Sequence, residues 1–138
     1  MTSKILLVDD EVRVLDALSC MFKEIGLDVA TAATPVEALR LVSEGSFQIA
    51  FVDHNLGSMD GLELIGQLRK FDPNLQFVIM TGNPDIEAAV RALGNGVADF
   101  LRKPFRFEDL LVSIQHVNRK IELDQQIKDR LLSRNDGL

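Results

Sequence analysis

The 138-residue chain is 46% hydrophobic and 26% charged, a balance that suits one globular domain with a substantial core and excludes a disordered chain. Its formal net charge of −6 argues against direct contact with nucleic acid, which needs clustered Lys and Arg. A lone cysteine, Cys20, excludes an internal disulfide and suits a reducing cytoplasm, and the apolar runs are too short for a membrane span or signal peptide.

In chain order, "KILLV" (4–8) is a short apolar run that predicts a buried strand, and it ends in Asp9, Asp10 and Glu11. Val14, Leu15, Leu18, Met21, Phe22 and Ile25 then recur at helical spacing until Gly26 stops the helix. "DVATA" (28–32) predicts a second strand. "TPVE" (34–37) reads as a capping box, with Thr34 as cap, Pro35 at the first helical position and Glu37 reaching back. Leu39 and Val42 continue that helix to Gly45. "QIAFV" (48–52) is the third strand, ending at Asp53, and Leu62, Leu64, Ile65 and Leu68 mark the third helix. "QFVIM" (76–80) is the fourth strand, ending at Thr81, and "NPDIEAAVRALG" (83–94) the fourth helix. "ADFL" (98–101) is the fifth strand, with Lys103 just beyond. From Phe107 a long helix places Leu110, Leu111, Ile114, Val117 and Ile121 inward. Past Ile121 the apolar positions Leu123, Ile127 and Leu131 rotate to another face without sustaining a heptad seam, as in a solvated linker helix or a weak pairing segment. The expected division is therefore a domain over 1–121 and a helical extension or linker over 122–138.

Strands alternating with helices predict an α/β fold, a parallel sheet with helices on both faces. Such sheets bind ligands at the carboxyl ends of their strands. At that rim stand Asp9 and Asp10 after the first strand, Asp53 after the third, Thr81 after the fourth and Lys103 after the fifth. Two unit charges about 4 Å apart repel by roughly 4 kcal/mol at an effective dielectric of 20, so carboxylates converging on one rim would point into water, raise each other's pKa or capture a cation. Hard oxygen ligands suit Mg²⁺, which shares its shell with phosphate oxygens. Lys103 and Thr81 add an ammonium and a hydroxyl, together describing a seat for a phosphoryl group. Asp53, alone on the central strand, is the candidate nucleophile for an aspartyl phosphate.

The ordered set "VDDE", "FVDHNLGSMDG", "VIMTG" and "ADFLRKPF" resembles the receiver domain of bacterial two-component response regulators, over about residues 3–121. The resemblance implies a flavodoxin-like, doubly wound five-stranded sheet in order 2-1-3-4-5. It implies that Asp53 accepts a phosphoryl group from a sensor histidine kinase or phosphotransfer protein. Asp10 and Asp53 would ligate Mg²⁺ directly, Asp9 through water, and Asn55 through its backbone carbonyl. Lys103 and Thr81 would bind phosphoryl oxygens, and Phe100 matches the aromatic switch position. Lys103–Pro104 resembles a frequent cis-peptide site of the family. The switched face would comprise the fourth helix, fifth strand and fifth helix, and could also pair the domain as a homodimer. An effector domain could follow Leu138 in a longer bacterial cytoplasmic protein. The domain would catalyse its own phosphorylation and dephosphorylation without being a conventional enzyme.

Three departures from the family pattern stand out. Gly57 replaces the common Pro, so the loop after Asp53 should be less constrained and the Asn55 carbonyl looser. Phe100 replaces the frequent Tyr, and Arg106 is a poor cap for the last helix.

Several residues read more plainly. His54 is expected to point away from Asp53 into solvent, His116 to lie at the surface, and Cys20 to be buried or at a boundary. Asp60–Gly61 reads as a turn and helix start outside the site. Rival functions are a phosphorylation-independent docking module, an aspartyl-phosphate phosphatase of the haloacid-dehalogenase type, and an FMN carrier. The phosphatase would need an acid where Asn55 stands. The FMN carrier would need a phosphate loop in place of "DDEV", and the chain has neither Trp nor Tyr for stacking.

Overall fold

A computed structural model describes residues 4–94 and 96–136, so residues 1–3 and 137–138 of the two expected segments lie outside the described residues. Ten elements alternate along the chain: β1 (Lys4–Val8), α1 (Val12–Glu24), β2 (Asp28–Ala32), α2 (Pro35–Glu44), β3 (Ile49–Asp53), α3 (Gly61–Phe71), β4 (Gln76–Thr81), α4 (Pro84–Leu93), β5 (Asp99–Arg102) and α5 (Phe107–Asp136). The strands form one parallel sheet in order β2-β1-β3-β4-β5. The expected flavodoxin-like order is therefore observed, and strand order reverses between β1 and β3.

The side-chain period of two sorts each central strand onto two cores. Ile5, Leu7, Phe51, Val78 and Met80 face α1 and α5. Leu6, Val8, Ala50, Val52 and Phe77 face α2 and α3. Both faces being covered explains why β1 and β3 are continuous apolar runs rather than alternating ones. Phe22 of α1 meets Phe51 edge-on at 5.2 Å between ring centroids, a geometry worth about 0.5–1.5 kcal/mol beyond area burial.

Local rules account for most of the helix ends. Thr34 caps α2 by accepting from the Glu37 N–H at 3.2 Å. The Glu37 carboxylate, however, turns to Arg40 at 3.6 Å, so only half of the expected capping box forms. The poor cap Arg106 is compensated from inside its own helix: the Asp109 carboxylate accepts from the Arg106 N–H at 2.9 Å.

Cys20 is exposed, contrary to expectation. At about 100° per residue it lies some 200° from both Leu18 and Phe22, so burying those two turns it outward. His116 is exposed as expected, with Nδ1 3.1 Å from an Asp99 carboxylate oxygen. No helix among the described residues is long and apolar enough to cross a membrane.

Candidate functional site

The strand register builds the site. Val8 pairs with Val52 across β1 and β3, so the next residues, Asp9 and Asp53, emerge side by side. On the other side Thr81 pairs with Arg102, and the Lys103 N–H donates to the Thr81 carbonyl at 2.8 Å. Lys103 is thereby aimed across the ends of β4 and β3. Its ammonium donates to Asp9 Oδ2 at 2.8 Å and to Asp53 Oδ2 at 3.0 Å. The peptide between Lys103 and Pro104 is cis.

Asp9 is wholly buried, and its other oxygen accepts from the Glu11 N–H at 2.9 Å. Asp53 is nearly so, and its Oδ1 accepts from the Asn55 N–H at 3.2 Å. Asp10 is exposed, yet one carboxylate oxygen from each of Asp9, Asp10 and Asp53 falls within 4.8 Å of the others. Three carboxylates against one ammonium leave two negative charges. A hard divalent cation matches both that charge and the all-oxygen donor set. Burial opposes the charge of Lys103, but its hydrogen bonds to Asp9 and Asp53 and their negative charge outweigh that and lift its pKa above the ordinary lysine value.

The family described as "Response regulator receiver domain" matches residues 5–115 of this chain. The chain belongs to that family. The chain is 33% identical over 110 residues to the transcriptional regulatory protein ZraR of Klebsiella oxytoca, covering 80% of this chain and 25% of that protein. A CheY-like receiver domain protein from Methanospirillum hungatei superposes with a TM-score of 0.81 at 30% identity, covering 90% of this chain and 99% of the other. A Burkholderia pseudomallei response regulator solved with a phosphorylated aspartic acid, calcium ion and citrate superposes with a TM-score of 0.74 at 26% identity, covering 99% and 87%. The chain spans about a quarter to a half of the length of the curated relatives it matches. A receiver is a regulatory domain rather than a conventional enzyme, and this one carries an acidic cluster able to hold a metal ion.

Thr81 and Phe100 are the remaining side-chain candidates of this receiver. Thr81 is buried, and its hydroxyl accepts from the Asn83 N–H at 3.0 Å, closing a local turn instead of reaching Lys103 or Asp53. Phe100 is half-buried against the α2–α3 core, with the Arg91 guanidinium 4.4 Å above its ring. Glu87 holds Arg91 at 2.9 Å and Arg102 at 3.2 Å. The hydrogen bond from Arg91 is the main cause that lowers the Glu87 pKa below the usual carboxylate value.

The loop after Asp53 is tied down more firmly than Gly57 suggested. Leu56 is buried, its N–H donates to the Met59 carbonyl at 3.1 Å, and the Gly57 N–H donates to Asn55 Oδ1 at 3.0 Å. An antiparallel bridge between Asn55 and Asp60 closes the loop. Gly57 has φ +77°, a conformation closed to proline, so the loop takes a different path with its own hydrogen bonds rather than a slack one.

His54 also departs from expectation. It is half-buried, with Nδ1 3.4 Å from Asp53 Oδ1 but without hydrogen-bond geometry.

Asp60 caps α3 through the Leu62 N–H at 2.8 Å, as its turn reading implied. Its neighbour Gly61 matters more. A Cβ there would overlap the Asp53 carbonyl oxygen and crowd His54 Cα. Only glycine lets α3 start against the end of β3, and the Gly61 N–H donates to the His54 carbonyl at 2.8 Å. In the sequence Asp60–Gly61 reads as an ordinary turn and helix start, with no signal of this close approach.

Proposed function

We propose that this chain is a phosphorylatable receiver in which residues 1–121 form the signalling unit and 122–138 a helical extension. Asp53 is the phosphoacceptor, and the donor is a sensor histidine kinase or phosphotransfer protein. One Asp53 carboxylate oxygen attacks phosphorus; the bond from phosphorus to the donor imidazole nitrogen breaks, and that nitrogen keeps the electron pair. The ammonium of Lys103, already on Asp53 Oδ2, neutralises the transferring group's oxygens, and transfer is mostly positioning and charge neutralisation.

Asp10, Asp53 and the Asn55 backbone carbonyl would hold Mg²⁺ directly, with Asp9 behind a water. Bound Mg²⁺ supplies neutralisation of phosphoryl oxygens that the lysine cannot provide alone. Thr81 leaves its turn with Asn83 to bond a phosphoryl oxygen, and Phe100 repacks. This biases a pre-existing equilibrium at the face formed by α4, β5 and α5. That face meets an effector segment in a longer cytoplasmic protein, or a second receiver. The same groups speed hydrolysis of the aspartyl phosphate.

The observation that carries this reading is the Lys103 ammonium shared between Asp9 and Asp53 at 2.8 and 3.0 Å, inside a cluster left with two negative charges. Intact mass after incubation with acetyl phosphate and Mg²⁺ tests it. A labile phosphoryl adduct on the native chain, lost with chelator and lost in Asp53→Asn, is expected. No adduct, or an adduct that persists in Asp53→Asn, would refute it.

A further inference from the structure

From Pro84 to Arg91, α4 has a thin apolar seat: of these side chains Val90 alone is buried. By contrast α1 buries Leu15, Leu18 and Phe22, and α3 buries Leu64, Ile65 and Leu68. Polar contacts therefore weigh more in holding α4 where it lies. The register sets Phe100 beside Ile79 and Arg102 beside Thr81, so the period of two turns all four side chains toward one face of the sheet.

Glu87 and Arg91 lie one turn apart on the same side of α4. Glu87 Oε1 accepts from Arg91 Nε at 3.3 Å and from its Nη2 at 2.9 Å, a two-donor grip that orients the guanidinium. That guanidinium stands 4.4 Å above the Phe100 ring. Glu87 Oε2 accepts from Arg102 Nη2 at 3.2 Å, tying α4 to β5 two residues beyond the ring. The start of the helix is tied as well. Asn83 caps α4 through the Asp85 N–H at 2.9 Å, and its own N–H donates to the Thr81 hydroxyl at 3.0 Å. Both residues proposed to move are thus fastened to one helix, Thr81 through its cap and Phe100 through Arg91.

We infer that Glu87, Arg91 and Arg102 form a latch holding Phe100 in the arrangement where Thr81 closes its turn with Asn83, so that filling the phosphoryl seat requires the latch to open. The inference rests on the proposed roles of Asp53, Thr81 and Phe100, and adds which contacts set the ease of the switch. Coupling is reciprocal: a contact made only in the latched arrangement weakens phosphoryl binding by the factor with which it favours that arrangement. Loosening the latch should therefore tighten binding while lowering stability slightly. A contact that merely holds the fold together would not tighten it.

The probe is trifluoroberyllate, a tetrahedral stand-in for the phosphoryl group, titrated with Mg²⁺ into the full chain by calorimetry. Arg91→Gln should bind it about two- to fivefold more tightly than the native chain, the factor expected from one exposed cation–π contact and its ion pair. Glu87→Gln should act in the same direction. In a Phe100→Leu background Arg91→Gln should change nothing, because the guanidinium then has no ring to hold. Asp53→Asn should not bind the probe. Equal or weaker binding by Arg91→Gln or Glu87→Gln, beside a native chain that binds, would overturn the latch alone, as would an undiminished effect in Phe100→Leu. A native chain that takes up no trifluoroberyllate would overturn the reading of Asp53, and the latch with it.

Discussion

The receiver carries two ion networks on adjoining edges of one sheet, and they differ in depth. At the rim of β1, β3 and β5, Lys103 joins carboxylates whose side chains are 0% and 8% exposed. On the α4–β5 face, Glu87 joins two arginines whose side chains are 61% and 63% exposed. Similar distances therefore carry unequal energies: burial removes the water that screens the first network, whereas the second remains screened. The deep network can hold charge in a fixed place for chemistry. The shallow one can be rearranged cheaply, as the proposed switching face over Phe100 would require.

Removing the deep cation should give the largest effect. Lys103→Met leaves Asp9 and Asp53 unopposed and should cost about 3 kcal/mol in metal-free buffer, the low end for a broken buried pair because Lys103 is partly exposed. Urea unfolding with and without Mg²⁺ checks this, and Mg²⁺ should restore part of the loss. Because the folded pKa of Lys103 is raised above 10.5, its contribution is whole below that pH and fades only as pH climbs through the raised value.

Gly61→Ala comes next. The added methyl collides with the Asp53 carbonyl rather than with a yielding side chain. It should cost about 1–3 kcal/mol of stability and slow adduct formation, because the end of β3 must shift. Equal phosphorylation rates in variant and native chains would show that the contact does not position Asp53.

Asp10→Asn should act in the opposite direction. Relieving one exposed repulsion should raise metal-free stability by up to about 1 kcal/mol while weakening the stabilisation that Mg²⁺ gives. Thermal melts across a magnesium titration separate the two effects.

The shallow network should respond least. Glu87→Gln should cost about 0.2–1 kcal/mol at neutral pH and low salt. Since the Glu87 pKa is lowered by its arginines, the native contribution is present above the usual carboxylate range. It is lost as pH falls through the lowered value, so native and variant stabilities should converge in acid. A Glu87→Gln loss as large as that of Lys103→Met would break the comparison of the two networks.

The deep site was legible because each member ends an apolar run, and a parallel sheet carries every such end to one rim. Asp9, Asp53, Thr81 and Lys103 needed only that topology. What escaped depends on contacts between segments whose spacing carries no period. The bridge from Glu87 to Arg102, the approach of Gly61 to Asp53, and the position of His54 beside its neighbour belong to this class. The hydrogen bonds of the Gly57 loop escaped for a related reason: a missing proline reads as slackness until the alternative path is seen. Cys20 was legible, had its angle from Leu18 and Phe22 been counted.

The central claim is that one carboxylate of the three, Asp53, receives the phosphoryl group while the others manage charge. Borohydride reduction after acetyl phosphate treatment converts an aspartyl phosphate to homoserine, which peptide mass mapping then locates. Homoserine at position 53 alone is predicted; homoserine at position 9 or 10, or at none of the three, would contradict the account.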